Sequence, residues 1–409
     1  MRRLSFAHRL RLACLMPFVC LLPGCGDGSG GGGLGGAGGT PIGGAPSTTA
    51  TVYVSNSGSD NISGYAVNGT TGGLSAIAGS PFVNVSTPST IAVSPNGFFA
   101  FATNSQTNKV TSFRIGTDGG LLLVSGTATS PNPASVGTAP SAVAVSSDTE
   151  FLYVANRGSD SVTAFTIGST GLLTVVPPET GMPNPVAAGG SAPVSLIGSS
   201  KDQFLYVANS ADNTLSVFQI ETSGLLKLVP PTGSLRNPVA VGGNAPSALA
   251  LSSTGQFLYV ANRASNNVTV FRVETSGLLT LVPPVGSATN PLPVGGNGPI
   301  GIAVAPDGRV LYTANDEGTV SALTIGSSGL LTLVPSSGSS SNPIPAGTSP
   351  SAITISQDGQ FLYVANRGGG VSAYTVVSGT GTLVPLPVLL GNPFPTGTAP
   401  SGIAMQKQL

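Results

Sequence analysis

The sequence predicts an all-β fold, a seven-bladed β-propeller of four-stranded blades, and three observations carry that expectation. The first is a hexapeptide, Phe-Leu-Tyr-Val-Ala-Asn, at residues 151–156, 204–209, 257–262 and 361–366, with looser copies at 52–56, 99–104 and 311–315. The aromatic anchors Tyr53, Phe101, Tyr153, Tyr206, Tyr259, Tyr312 and Tyr363 recur every 48 to 53 residues, the mark of an array. The second is the spacing between copies, where short apolar runs alternate with Gly, Pro, Ser and Asn and no segment sustains a 3.6-residue period. The third lies at the ends. A proline-led strand of the Pro-Ser-x-Ile/Val-Ala type precedes each later hexapeptide, as at residues 88–93 and 140–145, yet none precedes the copy at Tyr53. The missing strand stands at residues 400–405, so the C-terminus is expected to complete blade 1 and shut the ring without a free edge.

The chain opens on a different note. Residues 1–12 hold Arg2, Arg3, Arg9 and Arg11 and no acid, and residues 13–22 form an apolar run of ten. Such a run makes a helix of about 15 Å, half of a bilayer core of about 30 Å, so residues 1–24 read as a signal peptide. Leu22-Pro23-Gly24-Cys25 resembles a bacterial lipobox, which implies lipid attachment at Cys25. In that family Gly26, where an Asp would retain the protein, implies sorting to the outer membrane or cell surface. Twelve glycines within residues 26–50 describe a flexible tether of about 25 to 30 Å mean span, with no Gly-Lys-Ser/Thr to make it a phosphate loop. The expected organisation is thus 1–24 signal peptide, 25–50 lipidated cysteine and tether, and 51–409 propeller.

One repeat unit illustrates the rest. Residues 246–252 read as a short inner strand ended by the turn 253–255; residues 257–262 are the second strand, 263–267 a polar turn, 268–273 the third strand, and 278–282 the fourth, stopped by Pro283-Pro284. Apolar residues are nearly continuous in Leu258-Tyr259-Val260-Ala261, so both faces of each sheet must be covered. Stacking seven such sheets around an axis covers them.

Composition excludes several function classes. Only 7% of residues are charged, and from Cys25 onward 11 basic residues face 15 acidic ones, a net of −4. That is no electrostatic footprint for nucleic acid. Cys14, Cys20, Cys25 and the single histidine, His8, all precede residue 26, so the body can form no disulfide and no Cys or His metal site. No cofactor is expected, and a monomer is.

The Tyr-Val-Ala-Asn copies, with the turns Ser94-Pro95-Asn96-Gly97 and Ala305-Pro306-Asp307-Gly308 before them, resemble the YVTN and lactonase-type seven-bladed propellers, which include the propeller-type 6-phosphogluconolactonase. The likeness covers residues 51–409. It implies ligand chemistry at the channel mouth, where the turn between second and third strands and the link between blades open on one face, and where lactonase-type enzymes draw on His, Arg and Glu. No histidine follows residue 8, and no Glu here matches a family motif.

Candidate site residues follow from that geometry. Arg157, Arg263 and Arg367 begin the mouth turns of blades 3, 5 and 7, directly after Asn156, Asn262 and Asn366. These six are the candidate ligand face, because guanidiniums around a pore could hold a carboxylate or phosphate. Asp316 and Glu317, in the same turn of blade 6, would partly cancel the field. Asp60, Asp160 and Asp212 suit Asx turns better than Ca²⁺, which wants six to eight oxygens. Ser199-Ser200-Lys201 invites a dyad, but Ser146-Ser147-Asp148 and Ser252-Ser253-Thr254 at the same place in other units mark a turn. The resulting expectation is a lipid-anchored envelope propeller that binds a protein, peptide or glycan; the alternative is a lactonase-like hydrolase of a sugar lactone.

Overall fold

Each hexapeptide is a six-residue strand whose side chains are buried on both faces, and the strands either side of it complete a blade. The computed structural model describes residues 50–406, apart from 84, 200, 287 and 337–340. Seven sheets of the expected connectivity are present, each with its inner strand, the hexapeptide strand, a third strand and an outer strand in antiparallel order. In blade 5 these are Pro246–Leu251, Phe257–Asn262, Asn267–Val273 and Leu279–Leu281. The inner strand of blade 1 is Pro400–Gln406, paired with Thr51–Asn56 as the sequence predicts.

The hexapeptide divides its work by position. One apolar cluster fills each joint between neighbouring blades, so the core of this protein lies between its sheets and not within them. The leading Phe of blades 2, 3, 4, 5 and 7 packs against a glycine in the next blade, Gly171, Gly224, Gly277, Gly329 and Gly72 respectively. Each of those glycines has a positive φ, and any Cβ there would strike the ring, so glycine is required twice over. In four blades the Tyr hydroxyl then reaches the carbonyl of the glycine at that position in the next blade: Tyr53 to Gly119 at 2.6 Å, Tyr153 to Gly224 at 3.2 Å, Tyr312 to Gly381 at 2.9 Å and Tyr363 to Gly72 at 2.9 Å. The closing Asn donates from Nδ2 to a hydroxyl on the third strand, as Asn156 does to Thr163 at 2.9 Å.

The outer edge departs from expectation. The fourth strand, anticipated over five residues, is three residues long in every blade, and a fifth, two-residue strand pairs with the third strand in blades 2 to 6. Between them stands the side chain of an asparagine. In blade 5, Asn290 accepts the N–H of Val270 at 2.9 Å and donates to the carbonyls of Val270 and Val282, both at 2.8 Å. Asn132, Asn184, Asn237, Asn342 and Asn392 repeat this clamp. An amide side chain thereby supplies the donor and acceptor that a longer fourth strand would have supplied, and the third strand's edge has no unpaired stretch left to template another chain.

A second belt runs around the axis. The Ser after the inner-strand Pro donates to the carbonyl of the next blade's Pro: Ser89 to Pro140, Ser141 to Pro193, Ser247 to Pro299, Ser351 to Pro400 and Ser401 to Pro88, at 2.6–2.8 Å. Val194 and Ile300 occupy the two remaining places and cannot donate.

Candidate functional site

The mouth turns are short because backbone hydrogen bonds zip each onto the link that enters its own blade. Arg157, Arg263 and Arg367 donate their amide N–H groups to Ala139, Ala245 and Ser349 at 3.1, 2.9 and 2.8 Å. The acceptors are the residues before each inner-strand Pro, and they hold positive φ, 48°, 52° and 50°. Left-handed backbone is uncommon for a side chain with a Cβ, so something must fix it. The amides of Ala139 and Ala245 donate to Asn108 and Asn213 of the preceding blade, at 2.8 and 2.7 Å.

Asp60 and Asp160 occupy the same position as those asparagines and do the same work, accepting from Thr87 at 2.6 Å and Ala192 at 2.7 Å with φ of 52° and 46°. Asp212 accepts from the amide of Ser191 at 2.7 Å. These three carboxylates therefore brace the links between blades through distant backbone amides and do not close the local Asx turns expected of them, and among the described residues no cluster of acids suited to a metal ion forms. Glu317 accepts from Asn297 Nδ2 at 2.7 Å and from the Thr319 hydroxyl at 3.0 Å.

The three arginines are exposed and stand on alternate blades of one face. They are not equivalent. Arg263 turns toward blade 6 and pairs with Asp316 at 2.5 Å, the single ion pair among the described residues. Arg157 and Arg367 have no acidic partner among the described residues. The arginines without an acidic partner thus lie in blades 3 and 7, the first of them in the same turn as Asp160, while Arg263 of blade 5 is neutralised by its neighbour.

Asn156, Asn262 and Asn366 have a different place from the one proposed for them. All three are completely buried, and their Nδ2 groups bond the third strand. A glycine of the incoming link, Gly137, Gly243 or Gly347, lies directly over each amide. They hold the blade together and present nothing to a ligand, because the link that carries the mouth also covers them. Ser199 likewise is committed, accepting the amides of Gln203 and Phe204 at 3.1 Å, as Ser146, Ser252 and Ser356 accept those of Phe151, Phe257 and Phe361. Lys201 is exposed beside that turn. Cys25 lies outside the described residues.

Below the mouth the channel is lined by the seven inner strands, which contact one another around the axis. Not one of them carries a charged residue. The buried tyrosines sit farther out, in the joints, where burial raises their hydroxyl pKa well above the usual value of about 10 and keeps them protonated. Acid and base groups do not meet along the neutral channel wall; the face above it carries the three arginines together with Asp60, Asp160, Asp212, Asp316 and Glu317.

These features define a class: a seven-bladed propeller with an uncharged bore and a rim that carries both signs of charge, on which Arg157 and Arg367 have no acidic partner among the described residues. Comparison with known proteins places it further. The family described as lactonase, 7-bladed beta-propeller, matches residues 45–243, 180–294, 231–343 and 292–387, and the chain belongs to that family. Among solved structures it is similar to a candidate 6-phosphogluconolactonase from Bacteroides fragilis, with 21% identity, TM-score 0.66, and 88% of this chain and 98% of the other covered. It is also similar to the periplasmic gluconolactonase of Pseudomonas aeruginosa, at 21% identity and TM-score 0.63, covering 88% of this chain and 99% of that one. At those identities the likeness is one of fold. No curated protein matches the sequence.

Proposed function

We propose that this protein is a binding propeller of the cell envelope whose mouth face takes a small organic anion, a sugar acid or a phosphorylated sugar lactone, alone or carried on a larger glycan or peptide. One observation supports it most: Arg157 and Arg367 are exposed without acidic partners, while each carboxylate of the mouth turns is already occupied by backbone, an amide or Arg263. Charge-assisted bonds from guanidinium to carboxylate or phosphate are the strong ones, and an exposed guanidinium needs no further chemistry to make one. Turnover asks for more. With the only histidine at residue 8, a base that activates water would have to be Asp, Glu or Lys, and the mouth carboxylates are engaged elsewhere.

The family membership favours a second reading, hydrolysis of a sugar lactone at the same face with Arg157 and Arg367 binding the substrate's anion. One experiment separates the two. The purified protein is titrated calorimetrically with gluconate and 6-phosphogluconate, and separately assayed against their lactones beside a heat-inactivated control. Binding that weakens with salt and in Arg157→Ala and Arg367→Ala, without turnover above the control, supports the first reading. Turnover lost on changing any one of Asp60, Asp160, Asp212, Asp316 or Glu317 establishes the second.

For the address, the lipobox-like Leu22 to Cys25 supports attachment through a lipid at Cys25. Cys25→Ala is expected to move the protein from the membrane fraction to the soluble or unprocessed pool. Unchanged processing and partitioning would overturn the assignment.

A further inference from the structure

Two departures from the repeat meet at one joint, on the face opposite the arginines. The strand position filled by Phe in blades 2, 3, 4, 5 and 7 is Val310 in blade 6, so the glycine of the next blade, Gly381, packs against a branched stub and not a ring. The turn between third and outer strands of blade 7 runs from Val376 to Leu383 with six residues between, one more than in blades 2 to 6. A missing ring on one side and an enlarged turn on the other leave a groove of about 400 Å³ between blades 6 and 7. That lies within the range of small-molecule sites.

Its lining is divided in an informative way. The floor is apolar and largely buried: Val310, Tyr312 and Val376. The rim is polar and exposed: Asp307, Arg309, Asp358, Gln360 and Ser378. Arg309 stands where the other blades place Ala50, Phe98, Glu150, Gln203, Gln256 and Gln360, so it is the one cation of that series. Asp307 and Asp358 each commit Oδ1 to a turn, to the amides of Arg309 and Gln360 at 3.0 Å. Their Oδ2 atoms and the Arg309 guanidinium have no partner among the described residues. Free carboxylate acceptors, a free guanidinium and an amide around an apolar, ring-sized floor match a molecule with one hydrocarbon face and an edge of hydroxyls.

We propose that the groove between blades 6 and 7 is a carbohydrate site that takes a hexopyranose residue, free or at the end of a glycan. The ring's C–H face lies on Val310 and Val376, its hydroxyls donate to Asp307 and Asp358, and they accept from Arg309 and Gln360. The site is separate from the mouth and stands independently of what binds there.

The test uses the full-length protein and the methyl glycosides of glucose, galactose, mannose and N-acetylglucosamine, followed by saturation-transfer NMR and calorimetry. At least one is expected to bind in the millimolar range. Val310→Phe, which restores the residue of five other blades, is expected to weaken binding about tenfold or more, a change of about 1.4 kcal/mol, without lowering Tm. Arg309→Ala and Asp358→Asn, both exposed, are expected to weaken it with Tm unchanged, and they carry the test should the Val310 variant misfold. Arg157→Ala with Arg367→Ala should leave sugar binding intact. No binding by any of the four sugars, binding unaffected in all three groove variants, or binding lost with the mouth arginines would each overturn the proposal.

Discussion

Tyr363 in the last blade donates its hydroxyl to the carbonyl of Gly72 in the first, at 2.9 Å and across 291 residues of sequence. The same contact joins Tyr53 to Gly119 within the ring, at 2.6 Å. Closure is therefore made with the ordinary joint and not with a special one.

That contact predicts a contrast between two tyrosines. Tyr363→Phe strands the buried Gly72 carbonyl and should cost about 1 to 3 kcal/mol. Tyr206 is as deeply buried, yet its hydroxyl has no partner among the described residues. Tyr206→Phe removes an unsatisfied polar group and should be neutral or stabilising. Thermal and urea unfolding of the two variants, side by side, checks the expectation; equal losses would refute it.

Ring closure predicts the effect of truncation. Residues 400–406 pair with Thr51–Asn56, Gln406 bonds Thr51 at 2.7 Å and Gly97 at 2.7 Å, and Ser401 bonds Pro88 at 2.6 Å. Deleting residues 400–409 exposes the edge of the strand Thr51–Asn56 and uncovers Ile403's neighbours, each such side chain being worth about 1.5 to 3 kcal/mol. Tm should fall substantially and light scattering should show association. A truncated protein that melts like its parent would mean the first blade does not need its inner strand.

The buried hydroxyls predict alkaline sensitivity. All eight tyrosines are titrated upward from about 10 in the folded protein, chiefly by burial. In the unfolded chain they would ionise first. Stability is therefore complete below pH about 10 and falls as pH rises toward the folded values, by up to about 1.4 kcal/mol per pH unit for each tyrosine. Tyrosinate absorbance and loss of circular dichroism should rise together above pH 10. Ionisation that precedes unfolding would contradict the protected state of these groups.

Neutralisation of Arg263 predicts a gain of function. Both members of the Arg263–Asp316 pair are partly exposed, so Asp316→Asn should change stability by less than about 1 kcal/mol. It would free the third guanidinium of the mouth and raise affinity for gluconate or phosphate, most clearly at low salt. Calorimetry at two ionic strengths reads the change; an unaltered affinity would mean that Arg263 faces away from the bound anion.

Much of this architecture was legible because its signals repeat locally. The period of the tyrosine anchors fixed the blade count, and the Pro-Ser strand at residue 400 disclosed its partner near Tyr53 by being absent there. The asparagine clamps were equally visible, since Asn132, Asn184, Asn237, Asn290, Asn342 and Asn392 share the anchors' period and each precedes a proline. They read as turn residues because composition cannot tell a turn asparagine from one that stands in for a missing peptide group. The fate of Asn156, Asn262 and Asn366 was hidden for another reason: a polar residue at a strand end is as compatible with solvent as with a covering glycine some twenty residues away. The groove beside Val310 is a vacancy between two blades, and a vacancy is visible only once both walls are in place.

The pairing of Gln406 with Thr51 has a consequence for topology. In every other blade the inner and second strands are joined by a turn of five residues, as Val93 is to Phe99; in blade 1 alone that turn is severed. The two ends of the described chain thus occupy the position of an ordinary hairpin that happens to be open. A gene rearranged to restore that hairpin with a Ser-Pro-Asn-Gly turn, and to start instead at Phe257, would encode a circular permutant with every blade still paired. Start and finish are then a matter of where the message is cut, and the circle itself has no first blade.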